Sequence, residues 1–183
     1  MRFSLFLTAL PLLALSPLTL SAAETPQQAA QAATAVPKAL GNAKDWNAYS
    51  AGSGKTLVCY VVGKPEKTLP EHVARGRIEL TVTHRPGENA VNVVNFQLGY
   101  DAKAGSSAEV TVDGKKFELF TAKQGAWASD AATDKAVTTA LSKGRQAVIK
   151  AVSIHNNGST DTYSLDGFAT ALAMIDKACN VKR

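Results

Sequence analysis

The sequence is 183 residues long, a length that suits one domain with a sizeable core and excludes two once an export segment is set aside. Its 20 Lys and Arg against 15 Asp and Glu give a formal charge of +5, with the basic residues scattered along the chain. No basic run interleaves with aromatics, which excludes a nucleic-acid-binding reading, and attraction to anionic lipids or sugars would be weak and unspecific.

Arg2 and the apolar run 5–20, broken by Pro11 and Pro17, read as a secretory signal peptide over residues 1–23. The run is too short and too interrupted to span a bilayer. Ser21-Ala22-Ala23 supplies the small-x-small spacing a signal peptidase needs. Cleavage is therefore expected before Glu24, and no later segment could cross a membrane as a helix. Residues 24–44, rich in Ala, Gln and Pro, are expected to form a tether. Residues 45–183 then form a single globular domain that starts near Trp46.

Residues 57–62 are apolar on both faces, the pattern of a central buried strand. Ile78, Leu80 and Val82 alternate with Glu79, Thr81 and Thr83, the pattern of a half-buried strand, and residues 91–98 make a further one. Asp113-Gly114 fits a two-residue type I′ turn. That register sets Val110 opposite Phe117, Ala108 opposite Leu119, and Glu109 opposite Glu118, a like-charge pair that nearby lysines should relieve. Asn157-Gly158 reads the same way and sets Val152 opposite Tyr163 and Ile154 opposite Asp161.

Two helices are expected. One covers 132–143, with Asp130 or Thr133 as N-cap and Gly144 as its stop. The other covers 166–179, where Phe168, Ala171, Leu172, Ile175 and Ala178 form one apolar stripe. Cys59 and Cys179 are the two cysteines of the chain, and in an oxidising compartment such a pair forms a disulfide. Cys179 falls almost three full turns after Phe168, on the same buried face. The helix can thus lie on the sheet and bring Cys179 to Cys59. The fold class is α+β, mainly antiparallel β, either sandwich-like or a strongly twisted sheet, with the C-terminal helix packed on it.

Sites of chemistry are sparse. Gly52-Ser53-Gly54-Lys55-Thr56 is no phosphate loop, because Tyr49 stands where the first Gly is required and the segment leads into a strand. His72, His84 and His155 show no metal-ligand spacing, and His84 and His155 are expected on the solvent side. Ser129-Asp130 has no neighbouring His, and no GxSxG elbow occurs. No catalytic, metal-binding or cofactor-binding residue is assigned. Trp46, Trp127 and Tyr163 are read first as packing residues. Trp127 with Asp130 and Tyr163 is the one set retained as a ligand or partner surface.

The runs Gly125-Ala126-Trp127-Ala128-Ser129-Asp130, Lys143-Gly144 and 161–168 (DTYSLDGF), with Cys179, resemble the invasion-associated locus B family, as do Trp46, Cys59 and the Phe117 hairpin. The resemblance covers roughly residues 46–180. It implies an exported, largely β protein of the bacterial envelope, in the periplasm, on the outer membrane or secreted, whose pathogenic relatives are linked to entry into host cells. It carries over no catalytic residue, cofactor or enzymatic activity. The expected function is therefore binding of an envelope or host-surface component. The alternatives are a periplasmic hydrolase with a site assembled from distant residues, and a small-molecule or glycan binder that uses the surface beside Trp127.

Overall fold

The computed structural model describes residues 35–183; the expected signal peptide and the tether up to residue 34 lie outside them. The described chain runs β1 (Lys38–Ala43), β2 (Trp46–Ala51), β3 (Val58–Gly63), β4 (Lys67–Leu69), β5 (Glu79–Arg85) and β6 (Ala90–Gln97). It continues β7 (Ser107–Val112), β8 (Lys115–Ala122), β9 (Gly125–Trp127), α1 (Ala131–Lys143), β10 (Gln146–Val152), β11 (Gly158–Ser164) and α2 (Phe168–Ala178). The eleven strands form one sheet in the order β1-β2-β3-β5-β6-β9-β8-β7-β10-β11-β4. Every paired strand is antiparallel, so the expected α+β class with a mainly antiparallel sheet is the one observed.

Side chains of one parity enter the core: Cys59 and Val61 from β3, Leu80 and Val82 from β5, Val94 and Phe96 from β6. A strand turns successive side chains to opposite faces, so this parity defines an inner face. The sheet folds back on itself. Phe96 of β6 meets Tyr163 of β11 edge-to-face at 5.8 Å, and the Trp46 indole N–H of β2 donates to the Ser164 carbonyl of β11 at 3.0 Å. The two halves of the sheet thus share one core.

Both helices pack against this fold. α2 buries Phe168, Ala171, Leu172 and Ile175, and Phe168 meets Trp46 edge-to-face at 4.8 Å. At its end Cys179 bonds Cys59, across 120 residues of sequence and with the two Cα atoms 6.0 Å apart. α1 starts at Asp130, whose carboxylate accepts the Thr133 N–H at 2.7 Å, and ends at Gly144, within a residue of expectation. It covers a strand edge. β9 pairs only with residues 95–97 of β6, which leaves the backbone of 92–94 needing partners. Asp134 accepts the Val94 N–H at 2.8 Å, and the Thr138 hydroxyl donates to the Asn92 carbonyl at 3.2 Å.

The Asp113-Gly114 hairpin has the expected register. Both turn residues take positive φ, 44° and 90°, and Lys116 relieves the Glu109–Glu118 pair by bonding Glu109 at 3.0 Å. Two expectations are corrected. Residues 38–43, placed in the tether, are strand β1, paired along β2 with Leu40 and Ala43 against the core. Their Ala, Leu, Gly and Asn content shows no strand alternation; the open edge of β2 and the underside of α2 impose the conformation. The Asn157-Gly158 hairpin also has another register: Val152 pairs with Gly158, Ala147 with Tyr163 and Ile149 with Asp161. Residues 153–157 make the connection, and the positive φ falls on Asn156. Long-range bonds decide this, since the Ile154 N–H donates to the Asp101 carbonyl at 3.0 Å and Ser153 bridges Ala102.

Candidate functional site

Three places concentrate polar or aromatic chemistry. The first surrounds His84, which is fully buried rather than on the solvent side. It continues the Leu80, Val82 parity of β5 at a register irregularity against β6. Its Nδ1 accepts the Asn92 N–H at 3.0 Å, which leaves Nε2–H to donate to Asp176 at 2.9 Å. Arg183 bonds the same carboxylate at 2.5 and 2.9 Å. Burial pushes the Asp176 pKa up, but the hydrogen bonds from His84 and Arg183, with the Arg183 charge, outweigh it and hold the group below the ordinary carboxylate value. Both ring nitrogens of His84 are occupied, one of them by backbone, so the pair has no open side from which to activate a nucleophile. Its work is to close the irregularity beside the disulfide.

The second is a cleft of about 550 Å³ between the segment 70–75 and the β10–β11 connection. Arg75 is at its base, with its side chain 5% exposed against 1% for Asp161. The two form a bidentate pair at 2.6 and 2.8 Å. Arg75 also donates to the Leu98 carbonyl at 3.0 Å and lies over the Tyr100 ring. Tyr100 and Ser159 share a hydrogen bond of 2.6 Å, and Ser153 accepts the Asn157 N–H at 3.2 Å. His155 is exposed at the rim. No hydrogen bond joins it to either serine among the described residues, so the cleft does not assemble a Ser–His pair.

The third is the outer face of the sheet, which holds Trp127. The three residues retained from the sequence are not brought together. Tyr163 is fully buried and offers no surface, and burial, with the Asp161 charge beside it, raises its phenol pKa far above the ordinary value. Asp130 is an exposed helix cap, its pKa lowered by the Thr133 N–H and by the hydroxyls of Ser129 and Thr133. Trp127 is half-buried on the outer face, not in the core, between Asn95 and Phe120 on the neighbouring strands. Gly125 makes room for it: a Cβ there would lie 2.6 Å from the indole nitrogen and 2.8 Å from the Asn95 amide.

Two cross-strand rows meet on this face. One reads Asn47, Val62, Thr81, Asn95, Trp127, Phe120 over six adjacent strands; the other reads Tyr49, Tyr60, Thr83, Val93. Tyr49 and Tyr60 stack at 5.2 Å, and burial, followed by the nearness of Tyr49 and Glu79, raises the Tyr60 phenol. Neither row contains a charged side chain. Among the described residues no group of three or more His, Cys, Asp or Glu stands close enough together to hold a metal ion.

A family model for the Invasion associated locus B (IalB) protein matches residues 46–176, which include both rows, the cleft and the His84–Asp176 pair. The chain belongs to the invasion-associated locus B family. No curated protein and no solved structure matches this IalB-family chain. Sequence reasoning picked out Trp127 of the outer face but missed its neighbours in the IalB domain. The available cue was the parity opposite to the buried positions on β2, β3, β5 and β6.

Proposed function

We propose that this IalB-family domain is an exported bacterial envelope protein that acts by binding rather than catalysis, and that it binds through the outer face around Trp127. One observation carries the reading: two rows of side chains over six strands hold no charge, although 19% of the chain is Asp, Glu, Lys or Arg. Depletion of charge together with Tyr, Trp and Phe is the composition of interface centres, and Phe120 is left 49% exposed there. The backbone-occupied His84 supports a non-catalytic role. The disulfide supports export, and no described helix is long and apolar enough to cross a membrane. Contact with a host-cell surface belongs to this proposal through the family.

The test incubates the folded domain with envelope extracts and with host-cell surfaces. A component is expected to be enriched by the parent and lost with Thr81→Lys, which places a charge at the centre of the rows. Thr139→Lys, on the exposed side of α1, should retain it. Equal recovery by both variants, or none by the parent, would refute the reading.

A further inference from the structure

We infer that the outer face takes a neutral polysaccharide, laid across the strands; this rests on the reading above that the face is the binding surface. Along the two rows its hydrogen-bonding groups are carboxamides and hydroxyls, Asn47 and Asn95 with Thr81, Thr83, Tyr49 and Tyr60, while Gln97 lies one row further, opposite Glu79. Its flat apolar groups are the Trp127 indole, the Tyr49–Tyr60 stack and Phe120. A pyranose chain presents the complementary alternation. Its ring C–H faces stack on aromatic π-clouds, and its hydroxyl edges exchange hydrogen bonds with amides and hydroxyls.

The face also has the shape for an elongated occupant. A hollow of about 760 Å³ lies at its β2–β3 end, with Asn47, Tyr49 and Val62 in the lining. Another of about 380 Å³ lies at the β9 end, with Gln97, Gly125 and Trp127. Thr81 and Asn95 lie between them in the same row. The six strands span about 24 Å at ordinary strand spacing, which suits an oligomer better than a single ring. The charged residues around the hollows carry both signs. Apart from Glu79 of β5, they come from connecting segments: Lys44, Asp45, Lys64 and Glu66 at one end, Asp101 and Lys123 at the other. A protein partner brings charge in about one residue in four, and the two rows offer no countercharge for it. This favours the neutral glycan.

Intrinsic fluorescence tests the inference, because the chain has two tryptophans and Trp46 is buried, with its indole N–H bonded to Ser164. A ligand-induced change therefore reports Trp127. The probes are neutral hexasaccharides of glucose and of N-acetylglucosamine, with the matching monosaccharides as controls, added to the disulfide-bonded chain. At least one hexasaccharide is expected to give a saturable change, with the monosaccharide at least about tenfold weaker. The affinity should be unchanged between about 0.05 and 0.5 M salt, since no charge is engaged. Calorimetry should show a loss of about tenfold or more for Asn95→Ala and for Gly125→Ala, which displaces the indole. Silence with every hexasaccharide, while Thr81→Lys still abolishes capture of an envelope component, would overturn the glycan and leave the binding reading standing. Silence together with no capture would overturn both. Strong salt dependence, or full affinity in Asn95→Ala, would also refute the inference.

Discussion

Replacing Asp161 by Leu strands the Arg75 guanidinium at the base of the cleft, where little of it meets water. The two side chains are 5% and 1% exposed and share two bonds of 2.6 and 2.8 Å. Removing one partner of such a pair leaves an uncompensated buried charge and costs about 3–5 kcal/mol. The Leu98 carbonyl stays in place as an acceptor for Arg75, but it is a dipole and cannot neutralise the cation. For a domain of this size the loss corresponds to a fall of roughly 6–20 °C in Tm, a large part of a total stability of about 5–15 kcal/mol. Arg75→Met should cost a similar amount by stranding the carboxylate. The double variant should lie within about 2 kcal/mol of the parent, because two apolar groups need no countercharge. Urea unfolding with the disulfide intact measures all four proteins, and an unchanged m-value shows that the same transition is being compared. If each single change costs less than about 1 kcal/mol and the two add, as exposed pairs do, the reasoning is wrong.

The disulfide closes a loop of 120 residues, so Cys59→Ala with Cys179→Ala should destabilise by about 4–5 kcal/mol in the chain-entropy account. A midpoint equal to the parent's would contradict this. The folded Asp176 carboxylate titrates below its ordinary value. The unfolded chain therefore binds its proton first on acidification, and the stabilisation, full above the ordinary carboxylate pKa, is lost as pH falls through the folded value. Tm should fall below about pH 4 and do so less steeply in Asp176→Asn. The opposite slope is expected from Asp134, whose pKa burial raises; parallel profiles for parent and Asp176→Asn would refute the assignment. The Tyr163 hydroxyl is buried without a hydrogen-bond partner among the described residues, so Tyr163→Phe should leave stability unchanged or raise it by about 1 kcal/mol. A loss of more than about 1 kcal/mol would show that the hydroxyl has a partner.

Where local chemistry decides the structure, the sequence is readable. Asp113-Gly114 sets its own register because both φ values lie within the turn. The Phe168-to-Ile175 spacing likewise fixes the buried face of α2. Asn157-Gly158 misleads because bonds from Ile154 to Asp101 and from Ser153 to Asn157 override the dipeptide. His84 carries a readable cue, the parity of Leu80 and Val82, which outweighs its polarity once Asn92 and Asp176 satisfy the ring. Nothing local pairs Arg75 with Asp161 across 86 positions. The outer face is the same kind of problem. Each strand shows its own outward residues, but Trp127 and Phe120 join Asn95 only through the strand order β6-β9-β8, which is a property of the whole fold.

The short β9 has a consequence for how molecules of this chain behave toward one another. Beyond the reach of β9, the Asn92 carbonyl and the Val94 N–H of β6 are held by two side chains of α1, Thr138 and Asp134. A backbone edge accepts any extended peptide, including one from another copy. Detaching α1, which also lifts Val137 and Leu141 out of the core, would therefore turn an internal contact into a template for chain-to-chain assembly. Loss of Asp134 would show first as concentration-dependent association at temperatures where the core is still intact.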